Sequence, residues 1–544
     1  MTQKLYYGGD IITMTGENDV AEAILVEDGL IKKQGRLAEV KQDASHDAEN
    51  IDLQGRTLMP AFIDPHGHIS MVGQFSLMAD LSECDHFEDI IQTLTEYMQK
   101  KQLREGDVVV GCGYDHNFLA ENKHPNKEVL NQVSTEHPIF ILHASGHLGC
   151  ANDAALQAAG IDAETEDPEG GTIGRVEGST EPDGYLEENA MMGLQRTLLQ
   201  GQEKDYTQLI ELAQDVYIKN GMTTVQDGAS SKEIIDLFKG LAKQQKLKID
   251  VVAYPVFDAE PKKQMDENQE YAKKYNDRFK IGGYKMFLDG SPQGKTAWLT
   301  EPYEGEESYR GYPWHQDEQV KQYTDAAIRD GVQLLTHCNG DAASDQLLRN
   351  YQASLEESDR PDKDQLRPVM IHCQTARYDQ LDKMAALSMI PSIFVAHTYY
   401  WGDVHLKNLG EERGRRISPA RSAYDRGLCV NFHQDAPIVK PDMLHTIWCA
   451  VNRQTRNGVH IGPEECVSVY EALKAVTINA AYQYFEEDTK GSLEEGKIAD
   501  LVILDENPLK TDKTAIKNIQ VLETVKEGKT IYNLKDHHSA TKGV

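Results

Sequence analysis

Short aliphatic and β-branched runs alternate with stretches in which apolar residues recur every three to four positions, and this alternation governs the middle of the chain. The periodicity predicts helices over 205–220 and 319–330. Each is followed by a glycine, Gly221 or Gly331, suited to the left-handed turn that ends a helix, and then by a strand. Eight such strands are expected, over 58–64, 222–227, 249–256, 281–288, 332–337, 368–373, 390–396 and 427–434. Strands joined by helical crossovers pair in parallel, and eight of them make an α/β fold, a closed (β/α)8 TIM-like barrel.

Both ends of the chain follow a different pattern. Asp28-Gly29 sits between two apolar runs, the strongest short-range hairpin signal, and the segment 521–531 turns in the same way at Glu527-Gly528. Neither set of strands is large enough to fold alone, so 1–57 and 490–535 are expected to pair into one split β-sandwich domain. The barrel would then span 58–489. Within it, 75–200 is too long for a single crossover and carries its own strand-like runs at 108–111 and 139–142, which marks an inserted subdomain after the first barrel strand. Loops on that face of a barrel build active sites, so the insertion and the basic stretch 405–421 are candidate lids.

Composition narrows the class. With 40% hydrophobic and 26% charged residues in 544, the chain is a globular protein rather than a fibre or a disordered segment. No apolar run reaches the length of a membrane span. Acidic residues outnumber basic ones 88 to 56, a net charge of −32, and such a surface repels nucleic acid. No secretory leader is legible ahead of Gly8-Gly9-Asp10, and the eight cysteines are dispersed without a Cys-x-x-Cys pair, the usage of a cytoplasmic protein with reduced thiols. The expected partner is therefore a small-molecule substrate, with neither nucleic acid nor membrane. Symmetry statistics favour a homodimer.

The candidate chemistry lies where polar residues meet strand ends. The apolar run 58–63 leads into Asp64-Pro65-His66-Gly67-His68, and alternation along a strand would turn both imidazoles to one side, with Gly67 leaving room between them for a metal. Lys285 stands in an otherwise apolar strand, His337 and His372 close two others, and Asp435 follows the last. One strand-end histidine is ordinarily a hydrogen-bonded core residue. Six polar groups in register at strand ends have no such explanation, and we take them as a metal site.

These residues resemble the amidohydrolase superfamily, and within it the amidohydrolase-3 branch of YtcJ-like proteins. The resemblance runs over nearly the whole chain: His66-x-His68, Lys285-Met286-Phe287-Leu288-Asp289-Gly290, His337, His372 and Asp435-Ala436-Pro437, with Gly146-His147, Asn152 and the closing Gly496-Lys497-Ile498-Ala499-Asp500. It implies that Lys285 is carboxylated by CO2 and bridges two metal ions, His66 and His68 holding one and His337 and His372 the other, with Asp435 as a further ligand. An ordinary lysine beside a single ion is the alternative. Zinc suits the donor set, and iron or manganese would use the same residues. A metal-activated hydroxide would attack the substrate, Asp435 serving as general base and then protonating the leaving nitrogen. His147, from the insertion, would bind or polarise the carbonyl oxygen. Asp289, His397 and Trp401 are the other candidate substrate contacts. The implied activity is hydrolysis of a C–N bond in an amide, N-acyl or N-formyl amine, the branch including formamide-type deformylases. Deamination or hydrolysis of a cyclic amide or ester would use the same site, and a non-catalytic regulator on this scaffold is the alternative of another class.

Overall fold

The computed structural model describes residues 2–17, 19–104, 106–144, 148–199 and 205–536. Strands from both ends of the chain lie in one eight-stranded sheet: Gln3–Ile12, Val20–Glu27, Leu30–Gly35, Glu49–Asp52 and Thr57–Pro60 from the start, and Leu501–Leu504, Val521–Lys526 and Lys529–Asn533 from the end. Thr57–Pro60 is where the two sets meet, parallel to Gln3–Ile12 and antiparallel to Leu501–Leu504. The hairpins turn at Asp28-Gly29 and Glu527-Gly528, and all four residues have positive φ (49°, 87°, 50° and 71°). That is the turn geometry whose twist matches antiparallel strands. Tyr6, Ile24 and Leu58 from one set and Leu501, Ile503 and Val525 from the other share one buried apolar cluster.

The same compact unit, Met1–Ser70 with Ala213–Val544, contains the parallel strands. They form two arcs, Phe62–Ile63, Met222–Ser230, Asp250–Pro255 and Phe279–Ile281 in one, and Gly283–Phe287, Gln333–Cys338, Val369–His372, Ile390–Ile393 and Asn431–Phe432 in the other. The single strand expected over 281–288 is thus broken at Gly282. The part before it pairs with Asp250–Pro255 and the part after it with Gln333–Cys338. A side chain at Gly282 would come within 2.5 Å of the Tyr254 ring, so the break is where an aromatic residue packs onto bare backbone. A parallel bridge between Val256 and Lys285 links the arcs on that side. Among the described residues no ladder joins Asn431–Phe432 back to Phe62–Ile63, so the ladders do not trace a closed barrel. The last strand is also shorter than the expected 427–434, because a turn at Gly427 (φ 73°) and a Val430-to-Leu428 hydrogen bond take the place of ladder bonds.

Helices Tyr206–Lys219 and Asp317–Asp330 end at Gly221 (φ 81°) and Gly331 (φ 65°). A buried ion network ties the eight-stranded sheet to the first arc. Asp250 accepts from Lys490 and Lys526, each at 2.6 Å, and Lys526 also reaches Asp500 at 2.7 Å. Burial opposes the charge on Asp250, but the two ammonium groups outweigh it and hold the carboxyl well below the usual carboxylate range. The stretch 405–421 belongs to this unit as well. It continues the helix Gly402–Arg415, kinked at Gly410 (φ 75°), and His405 within it is buried.

The second compact unit is Met71–Leu212. Its six-stranded sheet has three parallel strands, Ala79–Asp80, Val109–Tyr114 and Ile139–His143, followed by the antiparallel Leu148–Ala151, Pro182–Glu188 and Gly171–Arg175. Apolar clusters cover both faces, one around Ile90, Leu94 and Ile141, the other around Phe140, Leu156 and Leu186. No helix among the described residues is long and apolar enough to cross a membrane.

Candidate metal centre

His66 and His68 do not sit on a strand. The strand ends at Ile63, and the following turn is fixed from three sides: Asp64 donates its N–H to Thr224, His68 to Ala436, and Gly228 donates to Gly67. The two rings converge through this turn, not through strand alternation, with centroids 5.2 Å apart. Gly67 has a different role from the one expected. A Cβ there would fall 2.7 Å from Asp64 Oδ2 and 2.9 Å from Tyr217 Oη, so the glycine admits these two buried groups rather than an ion.

Asp435 Oδ1 lies 3.3 Å from His66 Nε2 and 3.2 Å from His68 Nε2. His66, His372 and Asp435 offer donor atoms that all fall within 4.8 Å of one another, and His372 Nε2 is 3.0 Å from His337 Nδ1. Lys285, from the strand Gly283–Phe287, is fully buried. Its Nζ has no hydrogen-bond partner and lies 4.9 Å from the Phe287 ring centroid. Burial pushes its pKa down to about 7, so a substantial share is neutral amine near neutrality. Two of these residues are held in the left-handed backbone region, His372 (φ 76°) and Asp435 (φ 56°), an uncommon conformation for non-glycine residues that concentrates at functional sites.

The hydrogen bonds behind the rings decide which nitrogen faces inward. Gln226 donates from Nε2 to Pro65 O (2.8 Å) and Tyr484 Oη (3.0 Å), which orients its amide and leaves Oε1 to accept from His66 Nδ1 at 2.6 Å. His66 Nε2 therefore presents a lone pair to Asp435. His337 Nε2 donates to the Gly290 carbonyl at 3.2 Å, leaving Nδ1 as the lone pair facing His372. Burial and the charge of Lys285 hold both rings neutral, pushing His66 down to about 4 and His337 to about 3. The His66 lone pair aimed at the Asp435 carboxylate at 3.3 Å is repelled by it in a dry interior. A cation relieves that repulsion. With metal–ligand bonds of about 2.0–2.2 Å, the edges of a tetrahedral zinc site are about 3.3–3.6 Å, close to the separations around Asp435 Oδ1. The residues fit a divalent metal.

Other candidate residues fall elsewhere. Asp289 is buried, and its carboxylate is taken up by the backbone N–H groups of Trp298 (2.9 Å), Asn339 (2.9 Å) and Gly340 (2.7 Å). Through these three bonds it anchors the loops around the site. His397 and Trp401 are also buried, His397 Nδ1 lying 3.1 Å from His405 Nε2 in an aromatic cluster with Phe394. They back the site instead of lining an open mouth. His147 lies outside the described residues. Sequence reasoning passed over His433, whose Nε2 lies 3.2 Å from His372 Nδ1 and whose Nδ1 lies 3.0 Å from Ser392 Oγ. Its placement after the last strand was the available signal. Gln226 and Tyr484 were also missed, and nothing distinguishes them in the sequence from ordinary strand and helix residues.

A family model described as "Amidohydrolase family" matches residues 49–532. The chain is 28% identical to a putative amidohydrolase, YtcJ, of Bacillus subtilis, covering 97% of this chain and 99% of the relative. It is 27% identical to an N-substituted formamide deformylase of Arthrobacter pascens, covering 97% and 98%. Among solved structures, a metal-dependent hydrolase of Pyrococcus horikoshii superposes with a TM-score of 0.73 at 23% identity, over 94% of this chain and 99% of the other, a likeness of mixed α/β fold.

Proposed function

The chain belongs to the amidohydrolase family, and from that premise we propose that it is a metal-dependent hydrolase cleaving the C–N bond of a small N-acyl or N-formyl amine. The observation that carries this is the set of buried lone pairs around Asp435 and the unpartnered Lys285. The two parallel arcs are read as halves of one (β/α)8 barrel, with the eight-stranded sheet as its β-sandwich companion. His66, His68, His337, His372 and Asp435 would hold one or two divalent ions, with zinc the first candidate, and Lys285 would join them as a carbamate. That modification would join the neutral amine to CO2 with release of one proton, so a buried neutral amine would become an anion able to offset metal charge.

When bound, such a metal supplies positive charge that polarises a carbonyl and acidifies water. The protein's own groups do the rest. Asp435, whose Oδ1 faces His66 and His68, takes the proton of the attacking water and returns it to the departing nitrogen. Gln226 and Gly290 set the tautomers of His66 and His337, so those ligand nitrogens need no rearrangement. The deformylase relative makes N-formyl amines the first substrates to try.

The experiment is turnover on a panel of N-formyl and N-acyl amines, with metal content measured in parallel. Hydrolysis that is lost on chelation and restored by Zn2+ is expected. Fully metallated protein that cleaves none of the panel would overturn the substrate class. Lys285→Ala should lose at least one ion and regain part of its rate with acetate or propionate. Unchanged stoichiometry in that variant would remove the carbamate.

A further inference from the structure

The Met71–Leu212 unit holds a second cluster of metal-binding side chains that the proposed hydrolysis does not use. Asp115 and His116 follow the strand Val109–Tyr114, and His143 ends the neighbouring parallel strand Ile139–His143. Tyr114 and His143 are register partners, so the two strand ends are level and their polar residues meet. His116 Nδ1 lies 3.2 Å from His143 Nε2. His143 Nε2 lies 3.4 Å from Asp115 Oδ1, and His116 Nδ1 lies 3.7 Å from that same oxygen. These three separations form a triangle close to one face of a tetrahedral zinc site, whose edges are about 3.3–3.6 Å.

Three further features fit an ion there. Asp115 Oδ1, the same oxygen that faces both imidazoles, accepts from the backbone and side-chain amides of Asn117, at 2.9 and 2.8 Å, which fixes the carboxylate's orientation. His143 is buried, whereas the His116 side chain keeps 28% of its surface exposed, so one ligand is rigid and the other opens a path for exchange. Finally, the His116 ring stacks on His124, with centroids 4.0 Å apart, and His124 is held by Tyr114 Oη at 3.0 Å. Two imidazoles stacked this closely are best accommodated when neither carries a proton charge, and neutral imidazole is the form that binds metal.

We propose that Asp115, His116 and His143 form a second divalent transition-metal site, with ligands distinct from those of the centre built on His66 and Asp435 and with zinc the expected ion. Since both parallel strands end in it, the ion would clip together the carboxyl ends of two interior strands of this unit's sheet.

The test uses the full chain. Apoprotein prepared by chelation is titrated with Zn2+ and counted by elemental analysis after desalting, and with Co2+ as a visible probe of tetrahedral coordination. The wild type should bind one equivalent more than H116A/H143A, while H66A/H68A should keep that extra equivalent and lose metal from the other centre. As His143 is buried and its replacement risks misfolding, His116→Asn, at the exposed corner, is the second variant. It should weaken binding of the extra ion at least tenfold and leave the metal-free Tm unchanged. Equal stoichiometry in the wild type and H116A/H143A, or unchanged Zn2+ affinity in His116→Asn, would overturn the site. Neither result touches the amide-hydrolase proposal, which stands or falls with the H66A/H68A arm and the turnover panel.

Discussion

Two histidine and carboxylate clusters lie at or just beyond the carboxyl ends of parallel strands in this chain, one in each compact unit, and they differ in what surrounds them. Around Asp435 the ligands are mostly buried, and their far nitrogens are occupied by Gln226, Gly290 and His433. Around Asp115 the corner residue His116 is partly open, and the support comes from Asn117 and a stacked ring. The donor types are the same. Burial and the outer layer of hydrogen bonds set how tightly each would grip an ion and whether it could keep water away from a reaction.

The comparison breaks first at Asp435. Asp435→Asn keeps the shape and a ligand oxygen but cannot take a proton, and kcat should fall by about 10²–10⁴ with metal retained. Asp115→Asn should leave kcat within a few-fold. Equal losses in the two variants would mean that both clusters serve one reaction.

If burial is what makes a charged cluster costly to disturb, the same should hold away from any metal. Asp250→Asn removes the carboxylate that Lys490 and Lys526 share, leaving them Glu486 and Asp500, and should cost about 1.5–3 kcal/mol, measured by denaturant unfolding. The sign with pH follows from the depressed Asp250 pKa. Its contribution is complete above the unfolded carboxylate value of about 3.9, and it is lost as pH falls below that value toward the folded one. The wild type should therefore lose stability more steeply than the variant between about pH 4 and 2.

The outer layer is probed by Gln226→Ala, which frees the His66 tautomer. A 10–100-fold loss of metal affinity or rate is expected, and an unaffected variant would reduce Gln226 to a packing residue. The smallest effect is kinetic. Chelator should remove metal in two phases, the first from the half-open cluster with activity preserved, and a single phase would contradict the difference in exposure.

The parts of this arrangement legible in the sequence were those written into single runs. An apolar strand closing on histidine is visible at His337 and His372, and His66-x-His68 is a motif in itself. What the chain did not reveal was how those two rings converge, because the turn that aims them is held by Thr224 and Ala436, both distant in sequence. The break at Gly282 was also hidden by a run that reads as one strand, although the Gly282-Gly283 pair marked it. Asp115 and His143 escaped notice because two loop ends 28 residues apart meet only once the sheet order of their unit is known.

The pairing of Thr57–Pro60 with Leu501–Leu504 has a consequence for how the protein is made. During synthesis the first of these strands leaves the ribosome with one edge unpaired, and its partner does not exist until residue 504 has been added. At about 5–20 residues per second, that edge waits roughly 20–90 s. Throughout this interval the nascent chain presents an apolar strand to any other chain nearby. Its yield in the cell should therefore depend on chaperone holding during translation more than on the stability of the finished fold.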